Sequence, residues 1–376
     1  MLDFPFVTPS IGTGIYCLLF YTFILLVGYN KSLGYNSVQT HFNGKKGNVF
    51  IIIFGFFLVT HCMQGDFFHF MQTVHSYDFT PGAYNYGENI YLNIGKIVNK
   101  NYFLFRLIVF GGAFYLFLLT ARRFSISPFF ASVFLVLVFS NLFAYARATA
   151  AMAVYFYGIS FLCKPLNHKK IVGYFWGLFL IILSCEFHNS ALVMVIMTPL
   201  IFLPIKRWMI ICLVISLPLV LVVFKEYFFI IAMSDSLDNT MANRMMHYSD
   251  ASNRVDGGLG AWVISILRDI SIYVPILIVF TKTFFNKKKV LVQAVIKFNK
   301  VILGLFFVST IFRLLGGDFV VFYYRILFMT ILPSSIVILF FYKEKLISRR
   351  IFIICINMGL IHNLSQYFYY IYNILS

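Results

Sequence analysis

Long apolar runs separated by short polar connections dominate this chain. A helix needs about 20 predominantly apolar residues to cross the hydrocarbon core of a bilayer. The pattern predicts about twelve transmembrane helices, near residues 11–29, 48–63, 101–120, 128–143, 145–163, 170–186, 189–204, 207–230, 261–282, 298–316, 319–342 and 351–372. The regions 128–163 and 170–204 also allow other divisions. No repeat, low-complexity tract or soluble domain is evident, so residues 1–376 are predicted to form a single integral membrane domain.

Composition supports an all-α polytopic membrane protein. The chain is 61% hydrophobic and 20% aromatic, and only 11% of its residues are charged, whereas a soluble domain carries about 25% charged residues. The six cysteines are scattered through apolar segments without a CxxC pair, which argues against a disulfide framework and a cysteine metal site. The N-terminus lacks the basic region of a signal peptide, so we expect the first apolar run to be a retained helix.

Basic residues give each predicted span an orientation. The formal net charge is +17, and on a membrane protein such an excess usually marks the inner connections rather than a nucleic-acid surface. Alternate connections carry most of the basic residues, with Glu344 as their one acid: Lys31, Lys45, Lys46, Arg122, Arg123, Lys164, Lys169, Lys170, Lys206, Arg207, Lys282, Lys287, Lys288, Lys289, Lys297, Lys300, Lys343, Lys345, Arg349 and Arg350. This bias predicts that both termini lie outside.

Two long connections, about 64–100 and 233–260, are then predicted to lie on the outer side. The first contains a turn signal at residues 77–82. It is flanked by segments rich in Phe, Tyr and His, which we expect to lie as interfacial helices. Because the inner connections are mostly short, we expect the functional site on the outer face.

Five arginines interrupt the apolar spans, and with this orientation all five map to the outer leaflet. They are Arg106, Arg147, Arg268, Arg313 and Arg325. A single arginine near a helix end can reach the interface by snorkelling, without any functional role. The inner connections favour lysine, however, whereas the embedded set is all arginine, whose planar fork suits phosphate and carboxylate groups. The change in usage favours an anionic ligand held in an outward-facing cavity.

Acids and histidines follow the same distribution. Those at the predicted outer ends are Asp66, His69, Glu186, His188, Asp269 and Asp318. For Asp269 we consider an internal ion pair more plausible than a catalytic role, and His61 is interpreted as a hydrogen-bonded packing residue. Two residues that are two positions apart on one helix point about 200° from each other. Glu186 and His188 can therefore face one cavity only if residues 186–190 form a tight turn, with Asn189 or Ser190 capping the next helix.

Several chemistries lack their sequence signatures. The chain has no HExxH motif, no Cys/His metal spacing, no GxSxG motif and no nucleotide-binding domain, so any energy has to come from the substrate. An outer-leaflet enzyme of this kind would use a lipid-linked pyrophosphate donor. Arginines stabilise the charge that develops on an anionic leaving group, and a carboxylate or histidine can deprotonate an attacking hydroxyl.

The sequence resembles the EpsG/Wzy family of bacterial polysaccharide polymerases. The likeness covers most of the chain in helix order and rests on Asp66 with the aromatic segment after it, Arg147-Ala-Thr-Ala-Ala, Phe187-His188-Asn189-Ser190-Ala191 and, more weakly, Tyr324-Arg325. The family often has Tyr four residues after the first Asp, where this chain has Phe70. A role for that hydroxyl is therefore not carried over.

This resemblance implies a GT-C-like glycosyltransferase that joins undecaprenyl-pyrophosphate-linked oligosaccharide units, giving O-antigen, capsule or exopolysaccharide. The reaction would take place at the outer (periplasmic) face of the bacterial inner membrane, without cofactor, metal or nucleic acid, and possible partners include a chain-length regulator. The expected catalytic residues are Asp66, Arg147, Glu186 and His188; the expected pyrophosphate ligands are Arg106, Arg268, Arg313 and Arg325; the expected acceptor or support residues are His69, Asp318 and Tyr324.

Other functions remain open. A flippase for lipid-linked oligosaccharides can also have twelve spans. Alternating access should, however, place charged residues in both leaflets, whereas the embedded arginines of this chain map to the outer leaflet alone. An O-antigen ligase uses the same chemistry with a different acceptor, which no residue here identifies. A membrane acyltransferase would need inner-face histidines, for which His41 and His168 are the only candidates.

Overall fold

A computed structural model describes residues 10–32, 45–60, 70–75, 89–139, 146–164, 170–204, 259–285, 293–315 and 320–375. Within these ranges the regular secondary structure is entirely helical. The α-helices are α1 (Ile11–Ser32), α2 (Lys45–Thr60), α3 (Asn89–Ile97), α4 (Tyr102–Arg123), α5 (Pro128–Phe139), α6 (Ala146–Cys163), α7 (Lys170–Ser184), α8 (Ala191–Met197), α9 (Leu259–Phe284), α10 (Gln293–Leu315), α11 (Val320–Lys343) and α12 (Arg349–Leu375). Ten of the twelve predicted spans each overlap one α-helix. The span near 189–204 is divided, and the one near 207–230 lies outside the described residues.

Three helices of the described part are long and apolar enough to cross a membrane: Tyr102–Arg123 in α4, Gln293–Arg313 in α10 and Arg325–Lys343 in α11. Other helices expose large apolar side chains. On α7, Ile171 is 84% exposed and Ile182 is 67% exposed. In water such a surface would be unfavourable, because about 25 cal/mol is lost for each Å² of apolar surface left exposed. These features identify a helical membrane protein.

The predicted span at 189–204 is not one continuous α-helix. Helix α8 has 7 residues and is followed by a 3₁₀-helix of 4 residues, Thr198–Ile201. Together they extend only about 18 Å, whereas the hydrocarbon core is about 30 Å thick. Pro199 explains the change, because proline has no backbone N–H to donate to the carbonyl four residues earlier. The segment is a short helix that packs against α6 and α10.

Helix α6 lies at the centre of the packing, against α4, α7 and α10. Its contact with α7 depends on two glycines. A Cβ atom on Gly158 would lie 2.8 Å from the backbone oxygen of Gly177, and a Cβ on Gly177 would lie 3.0 Å from the backbone oxygen of Gly158. Small residues of this kind let two helix backbones approach closely, which is a common way of associating helices where no hydrophobic force acts between them.

One end of the bundle, here called the basic end, is formed by Arg123, Lys164, Lys297 and Lys300. The Arg123 guanidinium donates to the Lys164 backbone oxygen, and Lys164 Nζ donates to the Arg123 backbone oxygen at 3.0 Å. Lys300 Nζ donates to the backbone oxygen of Leu203. The ends of α4 and α6, the end of the 3₁₀-helix and the start of α10 therefore meet, as the alternation of basic connections predicts.

The predicted outer loop at 64–100 contains helices at the opposite end of α4. A π-helix, Phe70–His75, packs against α4 through Phe70, whose ring centroid lies 4.9 Å from that of Phe105. Helix α3 lies against this π-helix, since a Cβ on Gly95 would lie 2.4 Å from a methyl carbon of Val74. Asn101 then caps α4 by accepting from the backbone N–H of Leu104 at 3.0 Å. The described parts of this loop, residues 70–75 and 89–100, thus lie against the start of α4.

Candidate functional site

The turn between α7 and α8 has the break that the sequence predicts. Helix α7 ends at Ser184 and α8 begins at Ala191. The predicted side-chain cap is wrong, however, because Ser190 occupies the N-cap position without a capping hydrogen bond from its side chain. Its hydroxyl instead contacts Nδ1 of His188, and its backbone N–H donates to the same nitrogen at 3.0 Å. Nδ1 is therefore an acceptor, which places the hydrogen of the neutral imidazole on Nε2.

Glu186 in this turn is held by the first residues of α3. The side-chain amide of Asn89 donates to Glu186 Oε2 at 2.8 Å, and the backbone N–H of Ile90 donates to the Glu186 carbonyl oxygen at 3.3 Å. The carboxylate also lies beside the N-terminus of α3, where the helix dipole favours a negative charge. The half-buried Glu186 side chain is therefore fixed by an element that is 97 residues away in the chain.

Arg147 meets the same turn of α3. Its guanidinium carbon lies 5.5 Å from the ring centroid of Tyr91, a distance at which a cation is attracted to the face of an aromatic ring. Tyr91 is fully buried and packs edge-on against Phe105, with 4.8 Å between the ring centroids. The first turn of α3 thus contacts both Arg147, through Tyr91, and Glu186, through Asn89. Asn89, Tyr91, Arg147 and Glu186 are here called the α3 cluster.

Arg106, a predicted pyrophosphate ligand, lies in a buried environment. The side chain is fully buried, at 0% exposure. Its Nε donates to the backbone oxygen of Val59 at 2.6 Å and its Nη2 to that of Leu58 at 3.3 Å, while the guanidinium lies 4.2 Å from the Phe110 ring centroid. The last carbonyls of a helix lack partners within the helix, so Arg106 joins the C-terminal end of α2 to α4. These contacts give Arg106 a structural role, and its expected role as a pyrophosphate ligand stays a prediction.

Arg313 forms an ion pair with Asp269, as the sequence interpretation of Asp269 favoured. The distance from Arg313 Nη2 to Asp269 Oδ2 is 3.2 Å. The guanidinium also lies 5.1 Å from the ring centroid of Tyr323. The Arg313 side chain is 39% exposed and that of Asp269 is 13% exposed. Helices α9, α10 and α11 meet at this pair, and the exposed part of the guanidinium gives it room to reach a ligand.

For the other expected site residues, the structure gives the helix on which they lie or does not describe them. Arg325 is half-buried on α11. Arg268 and Tyr324 lie on helices α9 and α11. Asp66, His69 and Asp318 lie outside the described residues, so their expected roles stay predictions. The structure brings Arg147 and Glu186 to the first turn of α3 and pairs Arg313 with Asp269, whereas Arg106 bonds to the end of α2.

Asn89 and Tyr91 are the residues that sequence reasoning missed. Both lie in the aromatic segment that was predicted to form an interfacial helix, but no spacing pattern links them to residues 147 or 186.

The described ranges hold no group of three or more His, Cys, Asp or Glu side chains arranged to bind a metal ion. What the α3 cluster offers chemically is a fixed carboxylate, which can accept a proton, beside an arginine, which can stabilise an anion.

Comparison with known protein families identifies a match over nearly the whole chain. The model of the EpsG family matches residues 13–374, which is nearly the whole chain. A search of curated proteins and a search of solved structures found no significant match. The resemblance stated from the short motifs around Asp66, Arg147 and His188 is therefore confirmed for EpsG, and the chain belongs to the EpsG family, whose proteins are polysaccharide polymerases.

Proposed function

We propose that this protein polymerises oligosaccharide repeat units carried on a polyprenyl pyrophosphate. The observation that carries the proposal is the α3 cluster, which fixes Glu186 and Arg147 against one helical turn in a member of the EpsG family. A glycosyl transfer that starts from a pyrophosphate donor needs a group that accepts a proton and a group that stabilises an anion. The cluster contains one of each.

In the proposed reaction, a hydroxyl oxygen of the acceptor sugar attacks the anomeric carbon of the donor sugar. The bond from that carbon to the pyrophosphate oxygen breaks, and polyprenyl pyrophosphate leaves with the electron pair. The hydroxyl proton passes to a carboxylate, for which Glu186 is our candidate and Asp66 the alternative. His188, with its hydrogen on Nε2, is a candidate donor to a pyrophosphate oxygen.

The arginines are proposed to share the negative charge of the leaving group. Arg147 would do so beside Glu186. Arg313, whose side chain is partly exposed, would extend the site, as would Arg268 and Arg325. His69, Asp318 and Tyr324 keep their proposed roles in acceptor binding or support. A guanidinium that grips two phosphate oxygens gives both charge and orientation.

The proposed orientation of the protein in the membrane is based on its distribution of charge. Twelve spans, a GT-C-like architecture and an outward-facing cavity are proposed, in the bacterial inner membrane with both termini outside. The basic end would face the cytoplasm, as the positive-inside rule expects, and the α3 cluster would face the periplasm. Substrates would be undecaprenyl-pyrophosphate-linked units of an O-antigen, capsule or exopolysaccharide, and a chain-length regulator is a candidate partner.

Gene deletion followed by complementation tests this function. Surface polysaccharide would be separated on a gel from the deletion strain and from strains that carry wild-type protein or the Glu186→Gln variant. We expect the deletion to lose long chains but keep single repeat units, and Glu186→Gln to restore far less polymer than wild type at equal protein level. Loss of the single units as well would contradict a polymerase and favour a ligase or a flippase.

A further inference from the structure

The basic end carries positive charge that the described part of the protein does not neutralise. Arg123, Lys164 and Lys300 donate hydrogen bonds to backbone carbonyl groups, which have no net charge. Within the described ranges the carboxylates are Glu186, Asp269 and Glu344. Glu186 bonds to Asn89, Asp269 pairs with Arg313, and Glu344 pairs with Lys343 at 3.4 Å.

The four cations lie at neighbouring helix ends: Arg123 ends α4, Lys164 follows α6, and Lys297 and Lys300 are in the first two turns of α10. Arg123 and Lys164 exchange hydrogen bonds between the ends of α4 and α6. Arg123, Lys297 and Lys300 all act electrostatically on Cys163, the last residue of α6. Phe298, between the two lysines, stacks edge-on against Phe124 with 5.0 Å between the centroids.

The Arg123 guanidinium is fixed by a ring contact and has an unsatisfied nitrogen within the described part of the chain. Its guanidinium carbon lies 3.9 Å from the ring centroid of Phe161, and its Nε is buried without a hydrogen-bond partner in the described part of the chain. A half-buried cation that has lost water without gaining a counter-ion is costly. An anion bound at this point would offset that cost.

The position of the site relative to the membrane surface also restricts which ligands can bind. Arg123 is the last residue of a helix of membrane-spanning length, which is where lipid phosphates lie. Phe202 and Leu203, beside Lys300, are 62% and 49% exposed and offer apolar surface to an acyl chain. The adjoining segments 165–169, 205–207 and 286–292 add further lysines and arginines and no acid to the sequence.

We propose that Arg123, Lys164, Lys297 and Lys300 bind the phosphate of an anionic phospholipid headgroup, with an acyl chain along Phe202 and Leu203. This site is separate from the α3 cluster and does not depend on the proposed polymerase function. A bound lipid would tie the ends of α4, α6 and α10 together. Basic pockets between helices at the cytoplasmic membrane surface are a recognised way of binding such headgroups.

Binding of phosphatidylglycerol and of phosphatidylcholine to the full-length protein in detergent, followed by native mass spectrometry, tests the site. The test variant is Lys297→Gln/Lys300→Gln, which leaves the contact between Arg123 and Lys164 intact. The control is Lys96→Gln/Lys100→Gln, which removes the same charge at the opposite end. We expect wild type and control to prefer phosphatidylglycerol, and the test variant to bind it about 30-fold more weakly.

Three results would overturn the proposal. The first is equal retention of the two lipids by the wild type. The second is equal loss of phosphatidylglycerol binding in the control, which would mean a general effect of net charge. The third is displacement of the lipid by millimolar inorganic phosphate or glycerol phosphate, which would mean a site for a free phosphate. If the double variant does not elute as a folded protein on size exclusion, Lys297→Gln alone is used, with an expected loss of about fivefold.

Discussion

Exchanging the two partners of the hydrogen bond between Asn89 and Glu186 separates their structural role from their chemical one. The amide of Asn89 donates to the carboxylate of Glu186 at 2.8 Å. Asn89→Asp places two carboxylates in contact. Combining Asn89→Asp with Glu186→Gln restores an amide and a carboxylate at the same positions, with donor and acceptor exchanged. If Glu186 only fixes the turn to α3, the double variant should recover both the stability and the polymer formation that Asn89→Asp loses.

The size of the effect follows from the geometry. A hydrogen bond to a charged group contributes about 1.5–3 kcal/mol. Two like charges that relax to about 4 Å repel by about 4 kcal/mol at an effective dielectric constant of 20, and the partial exposure of Glu186 reduces this repulsion. We expect Asn89→Asp to destabilise the protein by about 2–4 kcal/mol. Polymer formation should fall at least about 30-fold, because a misplaced catalytic group costs about 100-fold per ångström.

Thermal unfolding of the purified protein in detergent measures the loss of stability. Polymer length in the complemented deletion strain measures the loss of polymer formation. In the double variant we expect the unfolding temperature to return toward wild type while polymer stays absent, since the carboxylate then stands at position 89. Asn93→Asp is the matched control, because Asn93 is exposed one turn along α3 and its amide donates to the Asn89 backbone oxygen rather than to Glu186. Polymer formation by the double variant would refute the catalytic role of Glu186.

Three further predictions concern the same end of the protein. Arg313→Lys and Arg325→Lys should each lower polymer formation about tenfold at equal protein level, because a point charge cannot replace a fork on two phosphate oxygens; normal polymer in both would favour snorkelling. His188→Ala should abolish polymer while the protein stays in the membrane fraction, and a fully active variant would reduce His188 to a packing residue. Burial, partly opposed by a Ser184 hydrogen bond, and the nearby Glu186 charge raise the pKa of the Cys185 thiol; maleimide should therefore label a variant that keeps only Cys185 slowly at neutral pH and faster as pH rises, and Glu186→Gln should speed this labelling.

The fold was predictable where the signal lies in a single run of residues. The apolar lengths near 101–120, 298–316 and 319–342 predict α4, α10 and α11 within a few residues, because the thickness of a bilayer fixes the length of a spanning helix. The segment 189–204 was mispredicted because hydropathy counts Pro199 as one residue among many, whereas its missing N–H converts the α-helix to a 3₁₀-helix.

The candidate site was predictable only in part, because it depends on pairs that are distant in sequence. The depth of Arg147 and the break after Ser184 follow from local patterns. The partners do not: Asn89 meets Glu186 across 97 residues, and Arg106 meets Val59 across 47. Depth along a helix says how far a side chain lies from the membrane surface, but it does not say toward which neighbour the side chain points.

Arg106 and Arg313 show why an arginine in an apolar span does not by itself indicate a ligand. In a bilayer each polar group has to find its partner inside the protein. Arg106 has done so completely, with backbone oxygens and aromatic rings around it and no exposed surface. Arg313 shares one carboxylate and keeps 39% of its side chain exposed. A ligand can reach the exposed part of Arg313 without any rearrangement, so exposure rather than position in the sequence is what distinguishes these two arginines.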